Sequence, residues 1–297
     1  MYHISTSKVV IVDGYCIAVS VLNHKKGVKI IQIWHALGAI KKFGYQTINK
    51  TSGHSESISK VMCMHKNYDF VLCASEKTGQ YFCEAFNVEN EKMKYLGLPR
   101  IDYIMKDDTD AAYKIREFYN IKEQKEVVLY VPTFRKNSNV DIEKLIGIFD
   151  FDKAVLVIKL HPLEKLSVDL DKKFVAERND NSLIIDNKYT SYQWLNVCDK
   201  IVTDYSALGI EATLKKKPLY FYLYDIDEYV KTVGLNINLK DEFGKYAVYD
   251  VQELSEVINE GYDFEIIEKF ASKYITVPTD NCTKRIARFI NELVEEE

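Results

Sequence analysis

Groups suited to phosphate chemistry cluster at the ends of four apolar runs. The first end is Trp34-His35-Ala36-Leu37-Gly38, followed by Lys41-Lys42-Phe43-Gly44. A histidine just past a buried strand fits either a general base near neutral pH or a hydrogen-bonded structural histidine. The second is Val131-Pro132-Thr133-Phe134-Arg135. A hydroxyl at Thr133 and a planar guanidinium at Arg135 suit phosphate oxygens, and an ordinary surface ion pair suits Arg135 equally. The third is Ile158-Lys159-Leu160-His161-Pro162. Lys159 and His161 share strand parity and lean to one side. His161, held before proline, suits donation to a phosphate or leaving group, or a structural role. The fourth is Val202-Thr203-Asp204-Tyr205-Ser206, which opens the stretch Ser206 to Ala212. Ser206 is a natural helix N-cap, and a helix N-terminus offers N–H groups and a dipole to an anion. Glu211 lies within the next turns, placed for ribose hydroxyls or for solvent.

These ends follow strands of a particular kind. Lys8–Asp13, Lys29–Trp34, Tyr68–Ala74 and Lys92–Gly97 read as a first series. A helix is expected at Ser75–Phe86, and another at Thr109–Tyr119. The pattern then restarts with strands at Glu126–Val131, Ala154–Leu160, Ser182–Asp186, Lys200–Asp204 and Pro218–Tyr222. Helices are expected at Ile142–Phe149, Ser191–Val197 and Ser206–Lys216, and the end from Phe264 is mostly helical. Short continuous apolar strands separated by helices indicate parallel sheets covered on both faces. In such sheets ligands bind beyond the carboxyl ends of the strands, where the four motifs fall.

Bulk properties narrow the function. The 297 residues are 47% hydrophobic, enough for a large core or two ordinary ones. A net charge of −4 gives no general attraction to nucleic acid, although Lys25-Lys26-Gly27-Val28-Lys29 and Lys41-Lys42 form local basic clusters. Six scattered cysteines without a Cys-x-x-Cys pair argue against zinc and dithiol chemistry and read as buried free thiols of a reducing compartment. No apolar run approaches the roughly 20 residues of a membrane span. Phosphate-loop, dinucleotide, His-Glu-x-x-His and Gly-x-Ser-x-Gly signatures are missing, which disfavours the chemistries they serve.

As an ordered set, the motifs resemble the CDP-glycerol glycerophosphotransferase family, which includes the teichoic acid primases and polymerases. The matching stretches are Gln32-Ile33-Trp34-His35-Ala36 with Lys41-Lys42-Phe43-Gly44, Leu96-Gly97-Leu98-Pro99-Arg100-Ile101-Asp102, and the second, third and fourth motifs above. Lys217-Pro218-Leu219-Tyr220-Phe221-Tyr222 with Asp227-Glu228-Tyr229 extends the match. The family commonly has Gly-Thr-Pro where this chain has Ala36-Leu37-Gly38.

The resemblance implies an α/β, GT-B-like fold. Two Rossmann-type domains with parallel sheets would face a central cleft: an abbreviated acceptor-side domain over 1–118 and a CDP-donor domain over 119–297. It implies transfer of glycerol phosphate or ribitol phosphate from CDP-glycerol or CDP-ribitol to a lipid-linked saccharide or polyol-phosphate acceptor, with release of CMP. No cofactor or metal is implied, since the CDP-alcohol is a substrate. His35 would be the base and His161 its catalytic partner at the diphosphate. Thr133, Arg135, Lys159, Thr203, Asp204, Ser206 and Glu211 would line the donor site. A lipid-linked acceptor implies a cytoplasmic enzyme working peripherally at the inner face of the cell membrane. A UDP-sugar glycosyltransferase or epimerase, or a non-catalytic subunit, shares the same fold class. The long charged C-terminal helix could cross back onto the N-terminal domain or contact a neighbour, which leaves open a homo-oligomer or a partner transferase.

Overall fold

The computed structural model describes residues 2–134, 142–160 and 181–295. It divides into two compact units. The first comprises Met1–Met105, Asp227–Ile237 and Lys269–Glu297; the second comprises Lys106–Ile226 and Asn238–Glu268. The chain therefore passes between units several times, where a single passage after residue 118 was expected.

The first unit holds a wholly parallel sheet of β1 (Val9–Val12), β2 (Lys29–Gln32), β3 (Phe70–Leu72) and β4 (Met93–Lys94), in that spatial order. Side-chain alternation sends Ile30, Val71 and Cys73 to one face, where Val19, Phe82 and Phe86 pack on them. Ile31 and Leu72 go to the other face, against Ile286 and Leu293. The latter pair belong to the terminal helix Cys282–Glu295, which thus covers this unit's own sheet. The expected terminal helical region is in fact two helices, Glu265–Tyr274 and Cys282–Glu295, separated by a segment containing Pro278.

The Gly97–Asp102 motif explains how that helix is held. The Asp102 carboxylate accepts from Cys282 N at 2.9 Å and Thr283 N at 2.7 Å, so it caps the helix from a distant part of the chain. Gly97 has φ +76°, and a Cβ there would stand 2.8 Å from Cys282 Sγ. Both the backbone angle and the close approach demand glycine.

The second unit contains β5 (Glu126–Val131), β6 (Ala154–Ile158), β7 (Leu183–Ile185), β8 (Lys200–Thr203), β9 (Leu219–Tyr222) and β10 (Ala247–Val248). All pairings are parallel, in the order β10-β9-β8-β5-β6-β7. All of β6 and β9, and all of β5 but Glu126, are buried, as expected for strands covered on both sides. The chain runs outward from β5 through β6 to β7, then returns beside β5 at β8. The direction of winding reverses there, and the point between β5 and β8 is the topological switch of a doubly wound sheet. The two-residue β10 is too short for hydrophobic periodicity to reveal.

Replacing Asp102 with Ala should expose the first N–H groups of Cys282–Glu295 and cost about 1 kcal/mol locally. Hydrogen exchange at Cys282 and Thr283 should accelerate, while amides of β5 and β6 keep their protection.

Candidate functional site

His35 projects from the loop after β2 and is exposed. Its Nδ1 lies 2.9 Å from the Asp13 carbonyl, at the carboxyl end of β1. A carbonyl only accepts, so Nδ1 carries the proton and Nε2 keeps its lone pair. That is the tautomer a general base needs. The ring leans on Trp34 at 4.0 Å between centroids, and Trp34 stacks on Phe43 at 4.8 Å. Trp34 itself has φ +51°, a left-handed angle rare for a bulky residue and common near functional turns. Its amide is fixed by Gln32 Oε1 at 2.9 Å.

A second histidine stands behind this loop. His65 is 4% exposed, and its Nδ1 lies 3.0 Å from the Tyr68 hydroxyl. Burial drives its pKa down to about 4, so it stays neutral near neutral pH.

In the second unit, expected donor residues gather at the switch point and at the neighbouring strand end. β5 ends at Val131 and β8 at Thr203, which pair in register. Just beyond, the Asp204 carboxylate accepts from Thr133 N at 2.8 and 3.0 Å and from Thr133 Oγ1 at 2.6 Å. Thr203 Oγ1 donates to the Val131 carbonyl at 2.7 Å. Thr133, Thr203 and Asp204 are all buried. The Thr133 and Thr203 hydroxyl protons therefore go to protein oxygens. This differs from the expected outward donors: the three side chains form the floor beneath the switch point.

Ser206 differs in detail too. The expected helix Ser206–Lys216 is a five-residue α-helix, Leu208–Ala212, continued by a 3-10 turn at Thr213–Lys215. Ala207 occupies the cap position, but the Ser206 hydroxyl still accepts from Leu208 N at 3.3 Å. So short a helix has a smaller dipole than the sequence pattern suggests. Glu211 is 2% exposed and accepts from the Tyr192 hydroxyl at 2.7 Å, so the solvated alternative does not apply.

Lys159 lies one strand over, at the end of β6. Its ammonium meets the Asp186 carboxylate at 3.0 Å and the Asp186 carbonyl at 3.1 Å. Asp186 also accepts from the Tyr119 hydroxyl, Trp194 Nε1, Lys188 N and Tyr189 N. Burial pushes its carboxyl upward, but hydrogen bonds from Tyr119, Trp194, Lys159 and Lys188 outweigh it and its pKa falls below the ordinary value. Sequence reasoning took Asp186 only as the end of a strand. Its position as the polar terminus of an apolar run, like the other four ends, was the available signal. Arg135 and His161 lie outside the described residues.

The thiols divide evenly: Cys73, Cys198 and Cys282 are buried, while Cys16, Cys63 and Cys83 are half-buried rather than fully enclosed as expected. Burial pushes Cys73 and Cys198 up to about 12, far from thiolate chemistry.

Parallel sheets in two units, one doubly wound with hydrogen-bonded polar residues at its switch point, define an α/β fold of the kind that takes ligands beyond the carboxyl ends of its strands. Known proteins agree. A family model described as CDP-Glycerol:Poly(glycerophosphate) glycerophosphotransferase matches residues 1–292. The chain is 29% identical to a teichoic acid ribitol-phosphate primase of Bacillus spizizenii, over 99% of this chain and 77% of that protein. It is 29% identical to a teichoic acid glycerol-phosphate primase of Bacillus subtilis, over 99% and 76%. Among solved structures, the wall teichoic acid polymerase TagF aligns with a TM-score of 0.76 at 19% identity, covering 97% of this chain and 73% of that one. A UDP-GlcNAc 2-epimerase from Neisseria meningitidis shares the fold at a TM-score of 0.60 and 16% identity, over 96% and 76%. The chain belongs to the CDP-glycerol:poly(glycerophosphate) glycerophosphotransferase family, and it is an enzyme of polyol-phosphate transfer.

The buried His65 makes a pH test of the first unit. Below its ordinary value of 6.5, the unfolded chain takes a proton that the folded chain refuses until about pH 4. The stabilisation is complete above that ordinary value and declines as the pH falls through the window, by about 3 kcal/mol in all. His65→Asn tolerates the left-handed backbone and does not titrate, so its denaturation midpoint should fall less steeply over that window than the wild type's.

Proposed function

We propose that this enzyme transfers glycerol phosphate or ribitol phosphate from a CDP-alcohol to an acceptor hydroxyl, releasing CMP, in the synthesis of teichoic acid or a similar cell-surface polymer. The observation that carries the mechanism is His35: exposed, with Nδ1 held on the Asp13 carbonyl and Nε2 left as acceptor. In this reading Nε2 takes the proton of the acceptor hydroxyl as its oxygen attacks the phosphorus bearing the polyol. The bond from that phosphorus to the bridging oxygen breaks, and the electron pair leaves with CMP. A positioned base contributes about 10²- to 10⁴-fold to such a step.

On the donor side, the proposal assigns the diphosphate to the switch point of the second unit. Ser206, half-buried in the first turn after β8, contributes there. His161 and Arg135 would add donor hydrogens and positive charge. Thr133, Thr203 and Asp204 support this half by fixing the strand ends, Lys159 by anchoring the end of β6 to Asp186, and Glu211 from its buried place behind the first turn. Charge developing on the leaving phosphate is best met by such preset donors, because they need no reorganisation during the step.

The acceptor in this reading is lipid-linked, and the enzyme meets it at the inner membrane face. No helix among the described residues is long and apolar enough to cross a membrane. Lys25 and Lys26 are exposed and suit an anionic lipid surface, at about 1 kcal/mol per well-placed cation. The Lys41–Lys42 cluster is less suited. Both residues are half-buried, Lys41 bridges to Leu235, and the stem of Lys42 lies against Gly234.

Calorimetric titration with CDP-glycerol, CDP-ribitol, CMP and UDP-glucose tests the donor class. Binding of a CDP-alcohol is expected; tighter binding of UDP-glucose would turn the reading to a sugar-nucleotide enzyme. His35→Ala should lose at least about 10²-fold in CMP release while its donor affinity stays near normal. Near-normal turnover in that variant would remove His35 as the base. Ser206→Ala should weaken CDP-alcohol binding about tenfold, corresponding to roughly 1.4 kcal/mol. Unchanged affinity would take Ser206 out of the site.

A further inference from the structure

Gln32 is the last residue of β2 and is fully buried. A carboxamide in that position is costly unless each polar atom finds a partner. Here each does. Oε1 accepts from Trp34 N at 2.9 Å, and Nε2 donates to the Gly14 carbonyl at 3.0 Å and to the Tyr68 hydroxyl at 2.9 Å. The Trp34 N–H can only donate, so the orientation of the amide is determined, and both of its protons are engaged.

The chain of donors continues inward in one direction. Tyr68 accepts from Gln32, and its own proton is directed to His65 Nδ1 at 3.0 Å. This requires a neutral His65 protonated at Nε2: burial keeps the ring neutral near neutral pH, and the Tyr68 proton then selects that tautomer. Tyr68 keeps its proton as well, because burial raises the phenol to about 12. The polar chain Gln32–Tyr68–His65 is thus closed at every link, and protonating His65 would reverse its last one.

The outward end of this chain is the informative one. Trp34, whose amide Gln32 holds, sits at φ +51° immediately before His35. Gly14, whose carbonyl Gln32 holds, immediately follows Asp13, the residue that accepts from the His35 ring. One carboxamide therefore fixes both the backbone that carries His35 and the turn that orients its imidazole. We infer that Gln32 is a positioning residue for the transfer step, acting on His35 through Trp34 and the Asp13–Gly14 turn. The inference rests on His35 being the base.

The test uses the full chain with CDP-glycerol, CDP-ribitol and a synthetic lipid-linked saccharide with its glycerol-phosphate adduct, following CMP release. Gln32→Leu removes all three bonds at similar volume. Its kcat should fall about 100-fold, the penalty typical of a misplaced catalytic group, with KM and the calorimetric Kd for the CDP-alcohol unchanged. Gln32→Glu keeps the acceptor for Trp34 N but cannot donate to Gly14 while ionised, and should fall between Gln32→Leu and wild type. Tyr68→Phe removes one partner of the amide and should lower kcat about threefold. If Gln32→Leu does not fold, the Gln32→Glu and Tyr68→Phe pair carries the same expectation. Wild-type kcat in the folded Gln32 variants, beside an inactive His35→Ala, overturns the positioning role alone. Wild-type kcat in His35→Ala overturns the base assignment beneath it. A loss confined to KM assigns Gln32 to binding and also overturns the inference.

Discussion

The second unit depends on a carboxylate buried at a place where winding reverses. Asp204 follows β8, Thr133 follows β5, and these two strands lie side by side although about seventy residues separate them. Burying a carboxylate there is costly unless its oxygens find partners, and Thr133 N and its hydroxyl are two of them. The same contact pins the β5 and β8 ends to one another. Whatever binds beyond those ends meets a floor that is already set. Asp186 repeats the device at β6 and β7, with Lys159 supplying the cation.

The first unit solves a similar problem with a neutral group. Gln32 terminates β2 as Asp204 terminates the run of β8, but it needs both a donor and an acceptor, since it joins a backbone N–H to a backbone carbonyl. A carboxylate could not do both. The two histidines nearby show how far environment separates identical side chains: His65, enclosed and bonded to Tyr68, is held neutral, while His35, a short distance along the same unit, faces solvent.

Much of the architecture was legible because continuous apolar runs of four to six residues mark parallel strands strongly. β5, β6, β8 and β9 lie within the expected segments. The order of the strands was not legible, since periodicity carries no information about neighbours in space. The division into units was legible in part: a terminal helix crossing back onto the first unit was one of two alternatives, whereas the return of Asp227–Ile237 depends on long-range packing that no local pattern shows. At the candidate site, strand-end position singled out the residues, and their chemical types suggested phosphate contact. For Thr133 and Thr203 the inference stopped short: a hydroxyl's direction depends on which carbonyl or carboxylate lies across the sheet. The distant cap that Asp102 provides was hidden for the same reason.

That cap bears on the order in which the molecule can be made. Ile31 and Leu72 are synthesised before the whole second unit, yet the side chains that cover them, Ile286 and Leu293, come more than two hundred residues later. During synthesis, the second unit's sheet emerges complete while one face of the first unit's sheet still lacks its cover. The first unit is thus finished after the second. Losing Cys282–Glu295 would injure the unit whose strands are made before those of the second, leaving an exposed apolar face for chaperones to shield.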